Sequence, residues 1–208
     1  MELKELFKKI IDGGAEAAGF GVSTIDRRIS EALVSGIKDY DALVRAISID
    51  LAGRLRDRLV IPELIEALKD PLHLIRQKAA QALGVIGDRR ALPALIASMD
   101  DSSEEVRVTV AGVLGHIKDR MAVPALIAAL SDRSAHTRMK AAISLGCIGD
   151  DRAIAALAGA LRDDNDLVRK YVCEALGNMG RKAVSALLIA IKDDKLREPA
   201  TASLMKIK

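Results

Sequence analysis

Apolar and polar positions in this chain recur as a block. Residues 60–86 read VIPELIEALKDPLHLIRQKAAQALGVI, a short apolar run, a polar turn and a longer run with helical spacing. Gly87-Asp88-Arg89-Arg90 then leads into a second copy over residues 91–121, and a third follows over 122–152. The marks return every 31 residues: Pro62, Pro93 and Pro124; Leu64, Leu95, Leu126 and Leu157; Asp70, Asp101, Asp132 and Asp163; Arg76, Arg107, Arg138 and Arg169; Gly84, Gly115, Gly146 and Gly177. Unrelated residue types keeping one period mark a repeat architecture.

Each copy predicts two helices. The first spans about 91–98, entered through Asp88 with Pro93 in its opening turn, where a missing N–H costs nothing. The second spans about 104–117, with Ser103, Ser134 and Asn165 at the N-cap slot and Gly115 thinning the last turn. Neither helix buries its apolar stripe alone, so pairs must stack. The predicted fold is all-α, an α-solenoid of about six two-helix units: 29–59, 60–90, 91–121, 122–152, 153–182 and 183–208. The first unit is degraded but keeps Lys38-Asp39, Val44-Arg45 and Gly53 in register. Ala155 and Ser185 replace the proline, the fifth unit is one residue short, and the sixth loses two more before Arg197. Atypical end units are expected of a stacked array.

Residues 1–28 precede the repeats. Leu3, Leu6, Phe7, Ile10 and Ile11 share one helical face opposite Lys4, Glu5, Lys8 and Lys9, which predicts an N-terminal helical cap on the solenoid core. The stretch GAEAAGFGVS lacks the Gly-Lys-Ser/Thr ending of a phosphate loop and reads as turns. Ser23 followed by Asp26 starts the next helix as a capping box.

Composition narrows the function classes. Of 208 residues, half are apolar but only two Phe, two Tyr and no Trp are present, so Ala, Leu, Ile and Val build the core. A formal net charge of +3 is near balance and selects no acidic partner. Cys147 and Cys173 are too few for a disulfide scaffold and are expected as reduced thiols of a cytoplasmic protein. The two Glu in the first eleven residues argue against a secretory signal. No apolar run reaches the ~18 residues of a membrane span.

Repeats of the form D-x-R-A-x-P-A-L-I-x-A-L-x-D, then V-R, then A-L-G-x-I-G-D, resemble the HEAT-like repeats first described in phycobilin lyases. Asp88 to Asp101, Val106-Arg107 and Val113-Leu114-Gly115 carry the likeness, which extends over about 29–208. It implies an adaptor, a scaffold or a lyase-like chaperone of a ligand or chromophore. It also implies that the Arg ladder braces each unit against its neighbour, and that second helices line a concave surface.

Candidate chemistry is sparse. His73, His116 and His136 occupy three different slots, none is followed by Glu, and HExxH, CxxC and GxSxG are missing, so no metal, cofactor or catalytic residue is predicted. Cys147 and His116 lie one unit apart in one slot, a conceivable nucleophile and base, but no orienting carboxylate is evident. Turns inside units are rich in Asp, while turns between units carry Arg89, Arg90, Arg120 and Arg152 among interleaved Asp. That basic edge is the alternative, nucleic-acid-binding reading; the interleaved acids and scarce aromatics count against it.

The favoured site comes from second-helix slots four residues apart, expected to point away from the core. They hold Ala46, Asp50, Arg54; Gln77, Gln81, Val85; Val108, Gly112, His116; Met139, Ile143, Cys147; and Lys170, Glu174, Asn178. The middle two units offer an apolar patch with a polar rim, and Gly112 a notch. The expectation is a protein-binding groove for a helix or extended segment of another protein, in a monomer or weak homodimer.

Overall fold

Twelve α-helices and no strand occur among residues 27–207, the part of the chain that the computed structural model describes. The cap expected over 1–28 falls outside the described residues up to Asp26, as does the capping box of Ser23 and Asp26. Packing divides the chain into two units, Met1–Asp88 and Arg89–Lys208. The boundary lies in the turn joining the second and third repeats.

In the first unit α1 (Arg27–Ile37) and α2 (Ala42–Leu55) form one repeat, α3 (Ile61–Ala67) and α4 (His73–Ile86) the next. In the second unit the pairs are α5 (Leu92–Ala97) with α6 (Glu104–Ile117), α7 (Val123–Ala129) with α8 (Ala135–Ile148), α9 (Ile154–Ala160) with α10 (Asp166–Asn178), and α11 (Val184–Ala190) with α12 (Arg197–Met205). A helix of seven residues such as α7 is unstable in isolation, so burial must hold it. Leu64, Leu95, Leu126 and Leu157, the repeating leucine, are fully buried.

Local signals set the helix ends. Asp41, Ser103, Ser134 and Asn165 cap α2, α6, α8 and α10 through their side chains. Asp57, Asp119 and Asp150 accept backbone N–H bonds that open the short 3-10 turn before each following first helix. The residue missing from the fifth unit is this aspartate: after Gly180 the turn Gly180–Ala183 has no side-chain cap. The left-handed backbone position recurs with the repeat at Arg56, Gly87, Lys118, Gly149 and Gly180. Only glycine takes it without a Cβ penalty.

The ladder glycines have a different role from the one their place in sequence suggests. A Cβ on Gly115 would stand 2.6 Å from Ser144 Cβ and 2.8 Å from its Cα; on Gly146 it would stand 2.8 Å from Ala175 Cα. Gly53 is similarly close to Ala82, and Gly177 to Ser203. They permit close approach of the next second helix rather than ending their own. In the second unit α6, α8, α10 and α12 therefore pack directly on one another, far more than α5, α7, α9 and α11 do.

Candidate functional site

The Asp and Arg ladders are a brace. Arg107 Nε and Nη2 donate to the Asp132 carboxylate at 2.7 and 3.0 Å, and its Nη1 donates to the Asp101 and Ser102 carbonyls of its own turn. Arg138 repeats this with Asp163 at 2.7 and 2.8 Å. In the first unit Arg45 Nε lies 2.8 Å from Asp70 Oδ2. Each aspartate also accepts a backbone N–H two residues on, Leu72 for Asp70, Ser134 for Asp132 and Asn165 for Asp163. Burial raises the carboxyls of Asp132 and Asp163, but the guanidinium and backbone bonds outweigh it and hold both below the usual range. One guanidinium thus fixes its own turn and grips the next unit.

The basic edge is largely neutralised within the second unit. Arg89 Nε donates to Asp119 Oδ2 at 2.8 Å, and Arg120 Nε stands 3.6 Å from Asp150 Oδ2. Arg152 bonds both Asp150 oxygens at 2.9 Å and the Arg120 carbonyl at 3.0 Å. The Arg152 bonds pull the Asp150 carboxyl down to about 2. Arg90 is exposed and also engaged. Arg89, Arg120 and Arg152 thus each stand against a carboxylate of their own edge.

The outward slots of α6 and α8 form the remaining candidate surface. Val108, Gly112, Met139 and Ile143 are half-buried, while His116 and Cys147 are exposed. On α10 the same slots hold exposed Lys170, half-buried Glu174 and exposed Asn178. In the first unit Ala46 is buried, whereas Gln77 in the same slot of the next repeat is half-buried. Cys147 is a free, exposed thiol, and no hydrogen bond links it to His116 among the described residues. Cys173 is buried, and desolvation pushes its thiol up to about 11. No group of three His, Cys, Asp or Glu able to hold a metal occurs among the described residues.

One residue of this surface escaped the sequence reading. In the first unit Lys78 pairs with Asp50 at 2.6 Å. Lys140 is the equivalent of Lys78, and Gly112 is the equivalent of Asp50. The Lys140 stem lies over Gly112, its Cδ 3.4 Å from where a Cβ would be, so the expected notch is lined by methylenes. Lys140 forms no ion pair among the described residues. Comparing the two slots along the repeat would have found this orphaned lysine.

Comparisons with known proteins agree with this geometry. A family model of HEAT repeats matches residues 30–107 and 93–171. No curated protein matches the sequence. Among solved structures the chain is similar to the complex of CpcE and CpcF of phycocyanin lyase from Nostoc sp. PCC7120, with TM-score 0.65 and 23% identity over 88% of this chain and 79% of that one. It is also similar to a computationally designed armadillo repeat protein for modular peptide recognition, with TM-score 0.58 and 18% identity over 85% of this chain and 98% of that one. At such identities the likeness is one of fold, an α-solenoid. No helix of the described residues is long and apolar enough to cross a membrane.

Proposed function

The chain belongs to the HEAT-repeat family, and from that premise we propose that it is a non-enzymatic adaptor that grips a segment of another protein on the inner face of α6 and α8. Repeat folds of this kind commonly mediate protein interactions. The observation that carries the reading is the contrast between neighbouring units in equivalent slots: Val108, Met139 and Ile143 are apolar and incompletely buried, whereas Lys170, Glu174 and Asn178 are polar. An apolar centre with a polar rim is the anatomy of a protein-binding patch, and Met139 adds adaptability. His116 and Cys147 lie at its end. The unpaired Lys140 above Gly112 calls for a carboxylate from the ligand, so the bound segment combines aliphatic side chains with Asp or Glu.

The test is Val108→Glu with Ile143→Glu. Both sites are incompletely buried, so the double variant should keep its helical spectrum, melt within a few degrees of wild type and lose a partner captured by the wild type. Loss of folding would place the slots in the core, and an unchanged partner list would place the groove elsewhere. A bilin added to the wild type should leave the bilin spectrum unchanged; a shifted, intensified band would favour a lyase-like chromophore chaperone instead.

A further inference from the structure

The turn edge of the first unit breaks a rule that four of the other second helices keep; α12 also lacks a side-chain cap, but its N-cap residue Leu196 is buried. α2, α6, α8 and α10 each begin at a residue whose side chain accepts a first-turn N–H: Asp41, Ser103, Ser134 and Asn165. α4 begins at Leu72, in extended conformation and with no side-chain cap. Leucine is among the poorest residues at this position. Nor does Leu72 fill the core, being 46% exposed. Tyr40, Leu43 and Leu74 on the same edge are 96%, 66% and 51% exposed.

These side chains are gathered on one rigid frame. Arg45 Nη1 donates to the carbonyls of Asp39 and Tyr40 at 2.9 Å, and its Nε lies 2.8 Å from Asp70 Oδ2. Asp70 Oδ1 in turn accepts the Leu72 N–H at 2.9 Å. The turns bearing Tyr40 and Leu72 are thus clamped against each other by one guanidinium. Leu43 and Leu74 occupy the same slot in the first turns of α2 and α4, which pack together. The carboxylates of Asp39 and Asp41 stand beside them. Their Oδ1 atoms accept the N–H groups of Asp41 and Leu43, yet neither pairs with a cation among the described residues.

We propose that this edge is a docking surface for a segment of another protein that presents apolar side chains flanked by lysine or arginine. The apolar residues would cover Tyr40, Leu43, Leu72 and Leu74, and the cations would meet Asp39 and Asp41. Stability given up at the N-cap of α4 for an exposed leucine is the kind of local conflict found at functional surfaces. The rigid clamp lowers the ordering cost of binding.

The experiment titrates the full-length, isotope-labelled chain with an amphipathic leucine–lysine peptide, and separately with its leucine–glutamate counterpart. The lysine peptide should shift amides of residues 39–45 and 70–76 and the ring signals of Tyr40, while the glutamate peptide shifts neither. Leu72→Ser separates binding from folding. It should weaken the lysine peptide roughly fivefold through the lost apolar contact, yet melt a few degrees higher because the cap is restored. Leu43→Glu with Leu74→Glu should abolish binding with an unchanged circular-dichroism spectrum. Equal binding of both peptides, no binding of the lysine peptide, shifts centred on α6 and α8, or unaltered affinity in Leu72→Ser would overturn the proposal. So would a dimer in sedimentation that Leu72→Ser dissolves, which would make the occupant a second copy of this chain.

Discussion

Gly115→Ala should destabilise the second unit, whereas Gly159→Ala should stabilise it. Replacing a helical glycine by alanine gains about 1 kcal/mol of propensity in an unopposed site. At Gly159, in α9, a Cβ meets nothing within 4 Å, so most of that gain should survive. At Gly115 the Cβ would arrive 2.8 Å from Ser144 Cα, and backbone cannot swing aside as a side chain can. α8 must move away from α6. Overpacking of this kind costs about 1–3 kcal/mol. The same movement strains the buried bond from Ser144 Oγ to the Ala111 carbonyl, 2.7 Å long, at a further cost of about 1 kcal/mol. Set against the propensity gain, the net loss is about 1–3 kcal/mol. For a chain of this size that lowers Tm by roughly 3–10 °C, while Gly159→Ala raises it by roughly 2–4 °C. Paired thermal melts followed by circular dichroism read both signs. A Gly115→Ala protein as stable as wild type would refute the reasoning that glycine sets the spacing of the second helices.

Other expectations follow from single side chains. Thr137→Val should stabilise by about 1 kcal/mol in denaturant melts, because Thr137 Oγ1 is buried without a partner and equivalent slots hold Ile75, Val106 and Val168. Arg107→Ala should cost about 3 kcal/mol by leaving the Asp132 carboxylate and two turn carbonyls without their donor, again read by denaturant unfolding. Lys118→Gly should gain up to about 1 kcal/mol by relieving a left-handed backbone at φ 56°. The Asp150 carboxyl titrates at about 2 when folded, below its unfolded value near 3.9. Its contribution is therefore full above the unfolded pKa and is lost as pH falls from about 4 through about 2; Asp150→Asn should flatten stability against pH in that window.

The repeat was legible because stacking imposes the same demand at the same slot. Leu64, Leu95, Leu126 and Leu157 are buried alike, and Ser103, Ser134 and Asn165 cap alike. Period alone names a slot but not its neighbour, so Gly115 read as the thinning of a helix end when it is a contact with Ser144. Ala46 was placed on the outward stripe by spacing, yet it is buried. The stripe of α6 and α8 was visible in sequence as an apolar run beside the polar slots of α10, Lys170, Glu174 and Asn178. Lys140 and Leu72 were not, because each is unremarkable by residue type and informative only against its equivalent, Lys78 with Asp50 in one case and Ser103 or Ser134 in the other. Paired charges such as Arg152 with Asp150 also look like a basic edge in sequence, since sequence counts charges without their partners.

The central claim, that the inner face of α6 and α8 holds a protein segment, is tested most directly by a photo-reactive amino acid placed at position 143 in the cell. Position 128, exposed on a first helix of the same unit, serves as the control. The account predicts a discrete crosslinked protein from position 143, little or none from position 128, and its loss when Val108→Glu is added. Equal crosslinking from both positions, or a crosslink from 143 that survives Val108→Glu unchanged, would contradict it.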